Sequence, residues 1–168
     1  VTEAIRDSCN IFFYTVGDSL PIDTLARYAA AFGLGEHTGI ELPESTGQMA
    51  TEAVKKKLEN TNWYVGDSLQ AAIGQSYSLF TPLQLSEYCA TIANGGTLMK
   101  PYMIDHVENV GGQTVKKFLP SAYGTLMSAN DAQFLTHLMS QVVEIGTGSA
   151  MRGASYTVAG KTGSAEFA

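Results

Sequence analysis

The sequence predicts an α+β domain that is richer in helix than in strand. Three observations predict this class: a capping-box helix over residues 81–94, a long amphipathic helix over about 129–145, and a hairpin around 111–112. The chain has 168 residues, of which 45% are hydrophobic and 15% charged, so it is long enough to bury a core and fits one domain.

The first third of the chain contains two short apolar segments. Residues 11–16 form an apolar run that ends at Gly17, and its length is compatible with either a helix or a strand. Residues 21–32 carry apolar side chains at helical spacing, with a proline at the start and glycine beyond the end, which predicts a helix. The lysine triplet 55–57 is interpreted as the solvated face of a further helix.

The two clearest helices follow. The first has Thr81 at its N-cap, Pro82 as its first helical residue and Gln84 to complete the capping box. The second is predicted to be capped by Ser128 with Asp131 three residues on. The apolar stripes expected to face the core are Leu85, Cys89 and Ile92 in the first helix, and Leu135, Leu138, Met139, Val142 and Val143 in the second.

Strand-like runs lie on both sides of the dipeptide Gly111-Gly112. Runs 102–110 and 113–119 are expected to pair through a two-residue turn in which both glycines take positive φ angles. A further strand is expected over residues 158–165, which contain Lys161-Thr162-Gly163.

Charge and composition exclude several functions. The net charge is −6 and the pI near 4.9, so the basic footprint of a nucleic-acid-binding protein is missing. No apolar stretch approaches the roughly 18 residues of a membrane span. The three histidines do not fall at metal-ligand spacing, so no metal site is expected, and Cys9 and Cys89 are interpreted as buried structural thiols.

Gly160-Lys161-Thr162 also resembles the end of a phosphate-binding loop. That motif requires a glycine five residues before its second glycine, and Ser155 occupies this position. The phosphate-loop reading is therefore rejected.

A better explanation combines two short motifs at opposite ends of the chain. Ser8-Cys9-Asn10 is a Ser-x-Asn motif, and Lys161-Thr162-Gly163 is a Lys-Thr-Gly motif that follows it in the order found in serine acyl-transfer enzymes that react with penicillin. Taken alone, Ser8 and Asn10 are more simply a helix cap. The ordered pair favours an active-site role.

With these motifs, the sequence resembles the transpeptidase domain of penicillin-binding proteins, most closely the class B, monofunctional branch. The resemblance implies a partial penicillin-binding-protein or serine β-lactamase-like fold, made of the helical part, the Lys-Thr-Gly strand and a small hairpin. One departure is Ser76, where the family has a glycine. The segments that carry the resemblance are 8–14, 32–35, 38–43, 66–67, 72–75, 81–85, 93–96 and 158–166.

The resemblance implies roles for three catalytic residues. Ser8 would relay a proton beside the lysine of a Ser-x-x-Lys motif, and Asn10 would hydrogen-bond the amide of the substrate or β-lactam. Lys161 would supply positive potential. A serine that attacks an amide carbonyl needs such groups to move its proton and to stabilise the oxyanion.

Three further residues would bind the substrate. The hydroxyls of Thr162 and Ser164 would hold the terminal D-Ala carboxylate, and Gly163 would leave room for the ligand beside the strand. No cofactor is implied. For Thr147 and Arg152, in the loop before the third motif, structural and substrate-side roles remain equally open.

The chain contains no Ser-x-x-Lys motif. In the family, this nucleophile motif precedes Ser-x-Asn, so residues 1–168 are predicted to be the central part of one transpeptidase domain and to be inactive in isolation. The strand over 158–165 is likewise expected to lack the neighbours that pair with it in the family's sheet, leaving backbone groups exposed.

The implied activity is the cross-linking of peptidoglycan stem peptides that end in D-Ala-D-Ala, at the extracytoplasmic face of a bacterial membrane. β-Lactam antibiotics and other elongation or division proteins are the implied partners. Two alternatives stay open: a β-lactam-binding sensor or β-lactamase relative, and a non-catalytic scaffold of the same fold.

Overall fold

The computed structural model describes residues 1–164 and confirms a mixed α+β fold dominated by helix. Among the helices of these residues, none combines the length and the apolar composition that a membrane crossing requires. Its helices are α1 (Thr2–Arg6), α2 (Asn10–Ser19), α3 (Ile22–Ala31), α4 (Glu52–Glu59), α5 (Val65–Ala72), α6 (Pro82–Ala93) and α7 (Ala129–Glu144); its strands are β1 (Thr97–Met99), β2 (His106–Glu108), β3 (Thr114–Lys117) and β4 (Ala122–Thr125).

The ambiguous apolar run near the N-terminus is helix α2. Gly17 does not end this helix, as the sequence suggested, but lies within it and is buried. A Cβ atom at Gly17 would stand only 2.4 Å from the Cβ of Ala72 on α5. Glycine is therefore needed here because α2 and α5 pack at very close range.

The predicted capping box at the start of α6 is confirmed. The hydroxyl of Thr81 accepts a hydrogen bond from the Gln84 N–H at 3.2 Å, and the Gln84 side-chain oxygen accepts one from the Thr81 N–H at 2.9 Å. These reciprocal bonds satisfy two of the donors that every helix start leaves unpaired.

The apolar stripe predicted for α6 is largely wrong. Leu85 and Cys89 are exposed, whereas the buried face carries Gln84, Glu87 and Thr91 together with Ile92. The Gln84 amide can be buried because it donates to two loop carbonyls, those of Glu36 at 2.7 Å and Thr46 at 2.9 Å.

Helix α7 matches its prediction closely and packs against α1 and α6. The Ser128 hydroxyl accepts from the Asp131 N–H at 3.1 Å, as expected for its N-cap. The buried side chains of α7 are Ala132, Leu138, Val142 and Val143.

The four strands found within residues 1–164 form two separate antiparallel pairs, β1 with β4 and β2 with β3. The second pair is the predicted hairpin, but its turn differs from the predicted one. Gly112 has a φ of 78°, while Gly111 does not take a positive φ. The Asn109 side-chain oxygen accepts from the N–H groups of Gly111 and Gln113 at 2.9 and 3.0 Å, which makes a longer loop organised by an asparagine.

The predicted strand around the Lys-Thr-Gly motif is not formed in the described residues. Residues 157–164 belong to neither helix nor strand, and Ala165 lies outside the described residues. The Gly160 N–H instead donates to the Met139 carbonyl of α7 at 3.2 Å. Neither of the two strand pairs includes this segment, and a strand requires a paired neighbour.

Two predicted side-chain environments are also wrong. Lys55, expected in solvent, is buried and forms an ion pair with Asp67 at 2.7 Å. Cys9 and Cys89, expected to be buried, are free and exposed. Cys9 occupies the N-cap of α2, and Cys89 lies on the solvent side of α6 because polar residues occupy the buried side.

Glu87 is the buried carboxyl group of α6. Its Oε1 atom has no hydrogen-bond partner among the described residues, and the side chain is 9% exposed. Burial, with a smaller contribution from the negative charge of Glu44, raises the pKa of Glu87 to about 7.

Replacing Glu87 with glutamine should remove a pH dependence of stability. Because the folded-state pKa lies above the unfolded value of about 4.3, the folded protein binds this proton more tightly, and stability falls as the pH rises from about 4.3 to about 7. Thermal unfolding at pH 5 and pH 8 should show Glu87→Gln stabilising the protein at pH 8 and changing little at pH 5. Exposed Glu144→Gln is the control. An unchanged pH profile in Glu87→Gln would contradict the prediction.

Candidate active site

The two motifs from opposite ends of the sequence meet in space. The Lys161 ammonium donates a hydrogen bond to the Ser8 hydroxyl oxygen at 2.5 Å and another to the Thr162 carbonyl at 2.9 Å. The ordered motif pair predicts that Ser8, Asn10 and Lys161 converge on one cleft, and the structure contains this contact for Ser8 and Lys161.

Ser8 occupies the short turn between α1 and α2. Its backbone has a φ of 53°, in the left-handed region that residues other than glycine seldom adopt. The N-cap of α2 is Cys9, with no side-chain capping bond, so neither Ser8 nor Asn10 caps this helix. The turn directs the Ser8 side chain toward Lys161, and strained backbone of this kind occurs often at functional sites.

A cluster of hydroxyl groups surrounds this contact. The Thr162 and Thr147 hydroxyl oxygens are 2.7 Å apart, and each lies 3.5 Å from the Ser8 hydroxyl oxygen. Thr147 is thus a site residue whose role the sequence left open. Arg152, the other open residue, is exposed and makes no side-chain hydrogen bond within residues 1–164.

The ammonium of Lys161 determines which partner donates in its hydrogen bond with Ser8. A protonated lysine only donates, so the Ser8 oxygen accepts from it, and the Ser8 hydrogen remains available to another acceptor. Partial desolvation of the ammonium lowers the pKa of Lys161. The site therefore presents one cation and three hydroxyls, a set suited to an anion and to proton transfer through Ser8.

The other predicted site residues are exposed, and their side chains take no part in the hydrogen bonds of this cluster. Asn10 is the first residue of α2, is exposed, and makes no side-chain hydrogen bond within residues 1–164. Gly163 and Ser164 are exposed, and a Cβ at Gly163 would meet nothing within 4 Å. The Ser164 carbonyl accepts a hydrogen bond from the Gln75 side chain at 2.6 Å, a contact that the sequence did not predict.

The side chains that metals use most often are not gathered in the part of the chain that the structure describes. Residues 1–164 contain no group of three or more His, Cys, Asp or Glu side chains placed to hold a metal ion. The chemistry of the cluster is that of hydroxyls and a lysine.

A mixed α+β fold that brings a Ser-x-Asn motif against a Lys-Thr-Gly motif is typical of penicillin-binding transpeptidase domains. The family model described as the penicillin binding protein transpeptidase domain matches residues 1–168. The chain belongs to the penicillin-binding protein transpeptidase family, in its class B branch.

Particular relatives support this assignment. The chain is similar to the peptidoglycan D,D-transpeptidase MrdA of Acinetobacter baumannii, with 30% identity over 98% of the chain and 25% of the relative. It is 35% identical to the stage V sporulation protein D of Bacillus subtilis over 98% of the chain and 24% of the relative.

Among solved structures, the chain is similar to penicillin-binding protein PBP2 of Helicobacter pylori in complex with MreC. The TM-score is 0.80 at 34% identity, covering 96% of this chain and 29% of that one. The chain spans about a quarter of the length of the curated relatives described above.

Proposed function

We propose that residues 1–168 are the central part of the transpeptidase domain of a peptidoglycan D,D-transpeptidase. The contact between the Lys161 ammonium and the Ser8 hydroxyl carries this proposal, because it joins the second and third motifs of the family in one cluster. The nucleophilic serine belongs to the Ser-x-x-Lys motif, which residues 1–168 do not contain.

The reaction is acyl transfer in two steps. The nucleophilic serine oxygen gives up its proton as it attacks the carbonyl of the penultimate D-Ala, the peptide bond to the terminal D-Ala breaks, and the departing amine takes up that proton. An amine of a second stem peptide then attacks the ester and forms the cross-linking amide, and the proton that this amine loses goes to the departing serine oxygen. Ser8 relays the proton in both steps: its own hydrogen is free to pass on, and its oxygen, which uses one lone pair for Lys161, has a second lone pair for the incoming proton.

The other residues hold the substrate. Lys161 and the hydroxyls of Thr162 and Ser164 bind the terminal carboxylate, and Gly163 leaves the ligand open space. Asn10, at the exposed start of α2, donates its side-chain amide to the peptide or β-lactam.

The protein acts at the extracytoplasmic face of the bacterial membrane, where peptidoglycan is cross-linked. The relative from H. pylori was solved with MreC, and the similarity of this chain to that relative supports a partner protein in cell elongation. β-Lactams acylate the same nucleophilic serine.

Labelled penicillin tests the proposal. The full-length protein that contains this chain should form a stable covalent adduct with a fluorescent penicillin, whereas the isolated 168-residue chain should form none because it lacks Ser-x-x-Lys. Mass spectrometry of both proteins is the measurement. An adduct on the isolated chain would overturn the assignment of the nucleophile, rapid turnover of the adduct would indicate a β-lactamase, and an unlabelled full-length protein would indicate a scaffold.

A further inference from the structure

We propose that Thr147 is a positioning residue that aims the Thr162 hydroxyl at the terminal carboxylate of the ligand and so selects ligands with a free carboxylate. This inference rests on the proposed function. Its basis is the 2.7 Å contact between the two threonine hydroxyls, the shortest hydroxyl–hydroxyl contact in the cluster.

The loop that carries Thr147 is fixed at both ends by unusually close packing. A Cβ at Gly146 would lie 2.4 Å from the Arg6 carbonyl oxygen, and one at Gly148 would lie 3.2 Å from the Val142 carbonyl oxygen. The Thr147 N–H also donates to the Arg6 carbonyl at 3.2 Å. The two glycines therefore let the loop settle between the end of α1 and the end of α7, and this anchoring presents the Thr147 side chain to the cluster.

The short contact contains a single hydrogen, which either threonine can donate. If Thr162 donates to Thr147, its hydrogen is occupied and cannot reach a ligand. If Thr147 donates to Thr162, the Thr162 hydrogen is free, and the Thr162 oxygen is polarised by the bond it accepts.

A carboxylate favours the second arrangement because it only accepts hydrogen bonds. The hydrogen bonds then run from Thr147 to Thr162 to the anion, beside the cationic Lys161. Without an anion, the Thr147 hydroxyl has another acceptor nearby, the Arg6 carbonyl at 3.5 Å. A ligand without the carboxylate would gain nothing from Thr147.

The test compares two ligands and two variants in the full-length protein. Second-order acylation rates are measured with a penicillin and with its methyl ester, which has no free carboxylate. Thr147→Val keeps the shape but removes the hydroxyl, and it should slow acylation by the penicillin about tenfold, as expected for one lost hydrogen bond, while the rate with the ester stays within about twofold. Thr147→Ser, which keeps the hydroxyl, should match the wild type with both ligands.

The outcomes separate this inference from the proposed function. If the wild type is not acylated at all, both fail. If the wild type is acylated and Thr147→Val slows both ligands equally, Thr147 is merely structural and this inference alone is overturned. Unchanged rates in Thr147→Val with both ligands would overturn it as well.

Discussion

Replacing Lys161 with methionine is expected to lower the rate of penicillin acylation by about 10²–10⁴-fold in the full-length protein. Groups that move a proton or stabilise a developing charge typically contribute factors of this size. Methionine has a similar unbranched length but no ammonium, so Ser8 loses its donor and the carboxylate subsite loses its cation. The measurement is the second-order rate constant with a fluorescent penicillin.

The fold should tolerate this change, which makes the loss of activity interpretable. Burial lowers the pKa of Lys161 because desolvation of the charged ammonium is unfavourable. Methionine carries no charge, so this unfavourable desolvation is removed. An unchanged or slightly raised melting temperature is therefore expected. Lys57→Met, on the exposed side of α4, is the matched control and should keep the wild-type rate. A Lys161→Met protein that acylates within a few fold of wild type would refute the proposed role.

The second large effect is expected at Gly17, where a single added methyl group should destabilise the protein by about 1–3 kcal/mol, the range for an overpacked core. In an ordinary helix, glycine to alanine is favourable by roughly 0.5–1 kcal/mol. Here the new Cβ would stand 2.4 Å from the Cβ of Ala72 and 3.3 Å from the Ser68 carbonyl, so α2 must move away from α5. Thermal unfolding of Gly17→Ala measures the effect.

Two further variants isolate the cause. Gly66→Ala makes the same substitution on α5, where a Cβ would meet nothing within 4 Å, and it should leave the protein as stable as wild type or more so. Ala72→Gly removes the opposing methyl group and should restore part of the stability when added to Gly17→Ala. If Gly17→Ala is as stable as Gly66→Ala, then α2 and α5 do not require this close approach.

Helix-capping signals and the ordered motif pair were the patterns that predicted the structure well. The capping residues Thr81 and Ser128 identified α6 and α7, because a helix start needs acceptors for its first N–H groups whatever surrounds it. The motif pair identified Ser8 and Lys161, whose contact the structure contains.

Local sequence patterns could not predict features that depend on contacts between residues far apart in the sequence. Gln84 is buried because the carbonyls of Glu36 and Thr46 accept from it, and no local pattern reports those loops. The placement of Thr147 in the cluster depends on how closely Gly146 lets its loop approach Arg6. At Ser76, where the family has a glycine, the sequence indicated a departure, and the structure shows serine itself in the left-handed region, with a φ of 72°.

The contact between Ser8 and Lys161 also bears on how the protein matures. Its partners are 153 residues apart in sequence, and the contacts of Ser8 with Thr147 and Thr162 span 139 and 154 residues. The chain entropy of closing such long loops must be overcome before these contacts give any stabilisation, so we expect them to form after the local helices. Helices such as α6 and α7 can form earlier, whereas the cluster forms only when the segment that carries Ser8 packs against the segment that carries Lys161. Under the proposed function, incompletely folded chains would therefore not react with β-lactams, and a labelled penicillin would report only fully folded molecules.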